Sequence, residues 1–264
     1  MEKEKVRAAQ AERPLRRVVL TGATGVIGRA LLAACREAGI ETLVLTHPGS
    51  ARAAQLPCDS LTRLAEADLD EYAGLPDRLA AAAPYDAFFH LAWKGTFGAA
   101  RNDMELQTGN IRGALAAVRL AAALGCRTFV GVGSQAEYGR ADGVLRPDTP
   151  VHPENGYGMA KLCAGQMTRT LAQSLGLAHV WLRVLSVYGP HDGAQTLIST
   201  ALRQMIAGEE TAFTAGEQLW DYLYSGDAAL ALLLAAPAGG TARSTASAAV
   251  RRGRWPSICK ASPA

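Results

Sequence analysis

The chain has 264 residues, of which 49% are hydrophobic and 19% are charged, and its formal net charge is +3. A chain of this size and composition can bury the core of one large domain. Basic residues cluster at the two ends, so the middle of the sequence lacks the basic surface that nucleic-acid binding requires. The five cysteines form no CxxC pair and have no metal-ligand spacing with histidines, which favours reduced thiols and predicts no metal site.

The N-terminus reads MEKEKVRAAQAERPLRR and lacks the apolar stretch of a signal peptide. No apolar run approaches the roughly 20 residues that span a bilayer. We therefore expect a soluble, cytoplasmic protein that does not bind membranes.

Six apolar segments predict strands that alternate with helices. They cover 17–21, 41–46, a segment before Asp68, 85–92, 127–133 and 179–186. Segments rich in alanine and leucine at 103–124 and 157–175 predict helices between the later strands. Strands that are apolar almost throughout are buried on both faces. The pattern therefore predicts an α/β fold of the Rossmann type, with a doubly wound parallel sheet.

A glycine-rich turn, TGATGVIG at 21–28, lies between the first strand and the first helix. Glycine permits a tight turn, close approach of the backbone to a pyrophosphate and packing of the helix on the strand. The N–H groups and the positive dipole end at the start of the helix then face the phosphates. The turn predicts a dinucleotide site with contacts from Gly22, Thr24, Gly25, Val26, Ile27 and Gly28.

The end of the second strand normally supplies an acidic residue that binds the adenosine ribose of NAD. Residues 46–52 contain no carboxylate, and Arg52 is placed to meet a 2′-phosphate. The cofactor is thus NAD or NADP, with a slight preference for NADP. A solvated loop position for Arg52 is the alternative interpretation.

A catalytic trio is predicted from Ser134, Tyr157 and Lys161. Tyr157 and Lys161 are four residues apart and so share one helix face. An ammonium about 4 Å from the phenol, at an effective dielectric near 20, is expected to lower the tyrosine pKa by on the order of three units. Such a tyrosine exchanges a proton while hydride moves. Ser134 ends the fifth strand, at the edge of the sheet where ligands bind.

Together these motifs resemble the extended short-chain dehydrogenases of the NAD-dependent epimerase/dehydratase family, which modify sugar nucleotides. The resemblance runs from about Arg17 to Ala236. Its further segments are Asp68-Leu69, similar to an adenine-contacting pair; HLAW at 90–93, with Leu91 and Ala92 beside the cofactor; GSQAEYG at 133–139; RVLSVYGP at 183–190; and WDYLYSGDAA at 220–229. The resemblance implies hydride transfer on a nucleotide-linked sugar, by epimerisation or 4-keto reduction, in a homodimer built on helices 103–124 and 157–175.

Departures from the family pattern concern the substrate side. Gln135 and Ala136 stand where 4,6-dehydratases carry Asp-Glu, so no dehydratase is predicted. Ser186 replaces a common Asn, and Trp220 replaces an Arg that holds nucleotide phosphates. The substrate candidates are Lys94, Gln135, Glu137, Ser186 and Trp220. For Lys94 the alternative is a solvated loop residue, and for Glu137 a structural role.

The domain organisation follows from these assignments. Residues 1–15 are a polar lead-in, 16–190 the dinucleotide-binding domain, and 191–240 a substrate-side segment that returns to the core and forms a small, truncated lobe. Residues 241–264 lack helical or strand periodicity and have the composition of a disordered tail. We hypothesise that a reading-frame shift near residue 240 produced this tail. An alternative function is therefore dinucleotide binding with impaired or no catalysis.

Overall fold

The computed structural model describes residues 14–79, 84–141, 143–211, 213 and 220–236, and the backbone of 245–247. One sheet of seven parallel strands has the order β3-β2-β1-β4-β5-β6-β9. These strands are β1 (Arg17–Thr21), β2 (Glu41–Thr46), β3 (Thr62–Glu66), β4 (Ala87–His90), β5 (Thr128–Ser134), β6 (Ala178–Val184) and β9 (Thr245–Ser247). A separate two-stranded parallel sheet pairs β7 (Ser186–Tyr188) with β8 (Tyr222–Tyr224).

Helices cover both faces of the large sheet. They are α1 (Val26–Glu37), α2 (Pro76–Leu79), α3 (Met104–Ala123), α4 (Gly156–Ser174), α5 (Leu197–Ala207) and α6 (Ser225–Ala235). Helices α1 and α6 pack together over one face, and α3 and α4 pack together over the other. Short 3-10 turns lie at Ala53–Gln55, Leu69–Gly74, Gly98–Asn102 and Gln135–Glu137. The Rossmann-type, doubly wound architecture predicted from the sequence is confirmed.

The first strand shows why an uninterrupted apolar sequence is needed. Val18, Val19 and Leu20 are fully buried. Because successive side chains point to opposite faces, Val18 and Leu20 enter the core under α1 and α6, while Val19 enters the core under α3 and α4. A polar residue on either face would lie in a hydrophobic interior.

The chain changes direction across the sheet between β1 and β4, which are neighbours although β2 and β3 intervene in sequence. Such a reversal opens a crevice at the carboxyl ends of the two strands. Thr21 joins the strands there, because its Oγ1 accepts hydrogen bonds of 3.2 Å from the N–H groups of Leu91 and Ala92. These hydrogen bonds hold the ends of β1 and β4 together at the base of the crevice.

Helix ends are set by side-chain caps. Asp103 caps α3 by accepting a 3.0 Å hydrogen bond from the Leu106 N–H, and Asn155 caps α4 by accepting one of 2.9 Å from the Gly158 N–H. The two helices thus start within a residue of the positions predicted from sequence. Among the described residues, no helix combines the length and the hydropathy that crossing a membrane requires.

Two parts of the sequence differ from expectation in detail. The sixth strand ends at Val184, and Ser186–Tyr188 leaves the large sheet to form β7. Residues 245–247, inside the segment expected to be a tail, pair in parallel with β6 at the edge of the sheet. The rest of 241–264, and the lead-in before residue 14, lie outside the described residues. The domain boundaries at 190 and 240 stay predictions.

Candidate active site

The glycine turn closes tightly against the end of β4. Gly22 has a φ of +75°, and a Cβ built on it would lie 2.7 Å from the Ala92 nitrogen. On Gly28 a Cβ would lie 2.1 Å from the Gly22 carbonyl oxygen. Both positions therefore exclude any larger residue, Gly22 by backbone conformation and by space, and Gly28 by the packing of helix on turn.

Gly25 is different, because the space beside it is open. A Cβ there would have the Gly22 oxygen, at 3.7 Å, as its only neighbour within 4 Å among the described residues. Gly25 is also the N-cap of α1, and no described side chain caps this helix end. The first-turn N–H groups are thus available to an anion. The turn fits a dinucleotide pyrophosphate, with Thr24, Val26 and Ile27 half-buried around it.

The carboxylate of Asp68 lies at the far end of the crevice between two basic side chains. Lys94 Nζ donates to one carboxylate oxygen at 2.6 Å, and His47 Nε2 lies 3.0 Å from the other. Burial acts to raise the pKa of Asp68, but the hydrogen bond and charge of Lys94 outweigh it and the pKa is lowered. Loops that follow β2, β3 and β4 therefore meet at this carboxylate.

Three of the predicted site residues lie around this carboxylate and the loop after β2. Lys94 pairs with Asp68 at 2.6 Å and keeps 38% of its side chain exposed, so its contact with substrate phosphates stays a prediction. The Leu69 side chain is buried in the core against α3, so only its main chain can face a cofactor. The Arg52 side chain is exposed on the loop after β2. Leu91 and Ala92 are held at the end of β4, as predicted.

Ser134, Tyr157 and Lys161 meet at the carboxyl end of β5. The Ser134 side chain lies close enough to Tyr157 to lower the pKa of the phenol. Lys161 Nζ lies 5.9 Å from the centre of the Tyr157 ring and donates a 2.8 Å hydrogen bond to the Val132 carbonyl oxygen. On the tyrosine, the Arg101 guanidinium carbon lies 4.5 Å from the ring centre. The predicted trio is therefore brought together.

The electrostatics of the trio differ from the sequence-based expectation. Burial raises the pKa of Tyr157, and this effect exceeds the lowering by the Ser134 side chain and the Arg101 charge. Burial likewise lowers the pKa of Lys161 to about 7, against a smaller opposite effect from the Glu137 charge. The prediction that Lys161 lowers the tyrosine pKa by about three units is thus wrong for the free protein, because desolvation acts on both groups.

Glu137 is fully buried directly behind Ser134. Its carboxylate accepts hydrogen bonds from the Ser134 N–H at 2.7 Å, from Trp181 Nε1 at 3.1 Å and from Arg183 Nε at 2.7 Å. Of the two roles that the sequence left open for Glu137, its burial and its three hydrogen bonds support the structural one. Glu137 acts as a positioning residue that holds the turn after Ser134 in place, and Arg183 neutralises its charge.

A slot between glycines brings Trp181 to Glu137. A Cβ on Gly131 or Gly133 would lie 2.4 Å from indole atoms of Trp181, and one on Gly165 would lie 2.8 Å away. The ring therefore lies between β5 and α4 only because these three positions lack side chains. Sequence reasoning missed this set, although the glycines in RTFVGVG alternate as inward-facing strand residues do.

On the substrate side, Trp220 Nε1 donates a 2.6 Å hydrogen bond to Ser186 Oγ. The two substrate candidates thus lie together although they are 34 residues apart. Trp220 remains half-exposed, and Gln135, next to Ser134, is half-buried. All three positions are compatible with ligand contact.

Helix α3 carries two further residues that the sequence did not single out, and both hold the loop between β4 and α3. Asn110 Oδ1 accepts a hydrogen bond from the Lys94 N–H at 2.8 Å, and Asn110 Nδ2 donates to the Lys94 carbonyl at 2.9 Å. Gln107 bonds to Trp93 Nε1 at 2.9 Å, and both amides are buried. The only available signal was the presence of two amides in an otherwise apolar helix face.

Comparison with known proteins agrees with this geometry. The model of the NAD dependent epimerase/dehydratase family matches residues 18–245. The chain belongs to this family. UDP-glucose 4-epimerase of Azospirillum brasilense is 29% identical over 184 residues, which cover 68% of this chain and 51% of that protein. The chain thus spans about half the length of this curated relative.

Solved structures of the family have the same fold. UDP-glucose 4-epimerase from Thermotoga maritima, solved with UDP-glucose, has a TM-score of 0.73 at 24% identity and covers 83% of this chain and 72% of its own. MoeE5, solved with UDP-glucuronic acid and NAD, has a TM-score of 0.72 at 27% identity and covers 88% of this chain and 75% of its own.

The buried ammonium predicts a pH-dependent cost in stability. An ordinary lysine has a pKa of 10.5, whereas Lys161 has one of about 7 in the fold. The cost of burying the charge is therefore complete below pH 7 and is relieved as the pH rises towards 10.5, where the unfolded chain also loses its proton. Relative to wild type, Lys161→Met should be most favoured below pH 7, and its advantage should shrink up to pH 10. Thermal unfolding at stepped pH measures this.

Lys94→Met is the matched control, since Lys94 lies outside the interior. Its difference from wild type should show no comparable trend over the same range. A Lys161→Met difference that does not vary with pH would contradict the buried, depressed lysine.

Proposed function

We propose that this protein binds a nicotinamide dinucleotide and transfers hydride to or from a nucleotide-linked sugar, by epimerisation or 4-keto reduction. The observation that carries the proposal is the convergence of Tyr157 and Lys161 on the end of β5, where Ser134 lies, at the carboxyl edge of the sheet. Ligands of open α/β sheets bind at this edge. Family membership supports the proposal, as do relatives described as UDP-glucose 4-epimerases.

NAD(H) is the first cofactor to test, with NADP(H) beside it. MoeE5, with 27% identity, was solved with NAD. The slight preference for NADP rested on the missing carboxylate after β2 and on Arg52, and the NAD-bound relative gives it no support. Gly22, Gly25 and the start of α1 would hold the pyrophosphate, and Asp68 lies at the adenosine end. When bound, the cofactor supplies the hydride acceptor or donor.

Proton transfer falls to Tyr157. In the direction of ketone reduction, its hydroxyl gives a proton to the sugar oxygen as hydride reaches the carbon, and the raised pKa keeps that proton on the phenol beforehand. In the direction of oxidation, the phenolate takes the hydroxyl proton as the carbon loses hydride. Ser134 and Arg101 both stabilise the phenolate and so assist this second direction.

The substrate is proposed to lie between Gln135 and the Ser186–Trp220 pair. Gln135 and Ala136 have no acidic or basic group, so these two positions cannot supply the acid and base that the Asp-Glu pair of 4,6-dehydratases provides. This supports epimerisation or reduction in place of dehydration. Segment 191–240 would supply the substrate side of the crevice.

We further propose that the protein forms a homodimer through α3 and α4. Three methionines on these helices are exposed: Met104 by 55%, Met159 by 50% and Met167 by 45%. Met159, Cys163 and Met167 are spaced four apart and so form one apolar stripe along α4. A stripe of this kind on a helix pair is suited to packing against its copy across a two-fold axis.

Cofactor binding is tested by thermal unfolding with NAD(H) and NADP(H). At about a hundred times its Kd, a ligand adds roughly 2.7 kcal/mol to the stability of the fold, a shift of several degrees. Gly25→Ala should unfold close to the wild-type temperature but lose the shift, because the added methyl group enters open space at the helix N-terminus. Absence of a shift with either cofactor in the wild type would exclude the proposed function.

Catalysis is tested with UDP-linked hexoses and their 4-keto forms. Tyr157→Phe should lower the turnover number by about 10²–10⁴-fold, the usual contribution of a general acid or base, with cofactor binding retained. Tightly retained cofactor that is not consumed identifies an epimerase, and stoichiometric consumption of reduced cofactor identifies a reductase. A cofactor shift without turnover of any substrate would support dinucleotide binding without catalysis.

The oligomeric state is tested by light scattering after size exclusion. We expect a dimer that Met159→Glu with Met167→Glu dissociates, because charges replace the apolar stripe. Ile206→Glu on α5, where the side chain is 86% exposed, is the matched control and should leave the mass unchanged. A monomeric wild type would contradict the proposed dimer.

A further inference from the structure

We propose that Trp93 is a positioning residue for Lys161, whose ammonium it holds against its indole face beside Tyr157. The benefit to hydride transfer rests on the proposed function, whereas the contact itself belongs to the protein alone. The family motif HLAW at 90–93 implies cofactor contact for Leu91 and Ala92 and gives Trp93 no role.

The geometry brings three groups together. Lys161 Nζ lies 3.9 Å from the centre of the Trp93 ring, within the range of a cation–π interaction. Trp93 also meets the Tyr157 ring edge to face, with 6.2 Å between centres and an interplanar angle of 89°. One aromatic side chain therefore contacts both the lysine and the tyrosine of the trio.

The indole is fixed from behind. Its Nε1 donates a 2.9 Å hydrogen bond to Gln107 Oε1, and Gln107 Nε2 donates to the Gly95 and Ala100 carbonyls at 2.9 Å each. Gln107 is 2% exposed. The Gln107 amide thus bonds both the indole and the loop that carries it. If the ring turned away from Lys161, buried polar groups would be left unpaired.

The surroundings of Lys161 explain why a ring face is useful there. The Lys161 ammonium has three hydrogens to donate. Among the described residues, only the Val132 carbonyl accepts a hydrogen bond from it. Glu137, in the turn after β5, is the nearby carboxylate, but Arg183 already neutralises it at 2.7 Å. His90 on β4 is buried and neutral, because burial and the Lys161 charge lower its pKa to about 3.

The remaining charged neighbour lies beyond the tyrosine. Arg101 stacks on the Tyr157 ring and so repels a cation beside it. The Lys161 ammonium is therefore desolvated and has only one carbonyl as a hydrogen-bond partner in the described part of the chain. The negative face of an indole stabilises a cation in such surroundings. Trp93 thereby favours the charged lysine at the position where it faces the trio.

The test measures Lys161 in the protein without cofactor. The chain has five lysines, Lys3, Lys5, Lys94, Lys161 and Lys260, so selective ¹³C labelling at Cε gives five resonances, and Lys161→Met assigns the one of interest. Trp93→Leu should lower the pKa of Lys161 by about one unit, because an apolar side chain keeps the site dry but removes the ring.

Two controls define the result. Trp93→Phe retains a ring and should stay within about half a unit of wild type, and Trp220→Leu, the same change at a distant indole, should leave Lys161 unaltered. If Trp93→Leu does not unfold cooperatively, Trp93→Met replaces it. An unchanged or raised pKa in the variant without a ring, or an equal fall in Trp93→Phe, would overturn the proposal.

A second readout connects the contact to catalysis. In Trp93→Leu the pH profile of turnover should shift to lower pH, as the pKa of Lys161 does. In the same variant kcat should fall, while KM for the sugar nucleotide stays near wild type. Because the resonance titration needs no cofactor, failure to bind both NAD(H) and NADP(H) would overturn the proposed function and leave the Trp93 result standing. If the enzyme turns over substrate but the pKa of Lys161 is the same in Trp93→Leu as in wild type, the Trp93 proposal fails and the proposed function stands.

Discussion

Two opposite charges buried at the carboxyl end of β5 impose the constraint on which the site depends. The Lys161 ammonium and the Glu137 carboxylate both lie in the interior, where an uncompensated charge costs several kcal/mol. Each is therefore surrounded by partners on other elements. Arg183 and Trp181 reach Glu137 from β6, while Val132 and the Trp93 ring meet Lys161. Tyr157 meets the second set, because its ring packs edge to face on Trp93.

Much of the fold and part of the site could be predicted from the sequence. The glycine turn and the Tyr157–Lys161 spacing are local patterns, and each depends on one turn or one helix face. For Glu137 and Lys94 the sequence left two roles open, for one physical reason. Both are charged residues just after a strand, where the direction of a side chain is set by partners far away in sequence. Arg183 is 46 residues from Glu137, and Asp68 is 26 residues from Lys94.

The electrostatic error has the same origin. The spacing of two residues on one helix face determines how far apart they lie, but it does not determine how far each is buried from solvent. Burial raises the pKa of Tyr157 and lowers that of Lys161, and neither shift is encoded in a YxxxK spacing. Trp93 escaped notice because its importance lies in a contact with a residue 68 positions away. The sequence thus names the reacting groups, while their protonation depends on tertiary packing.

The glycine slot around Trp181 constrains the order in which this sequence can change. Gly131, Gly133 and Gly165 come from two elements, yet a side chain at any of them would meet the same indole. A smaller residue at position 181 would make room at 131 and 165 and leave Glu137 short of a donor, whereas a side chain at 133 would still meet Glu137 Oε1 at 2.3 Å. Gly131 and Gly165 can therefore be replaced only after Trp181, and that first substitution weakens the support for Ser134.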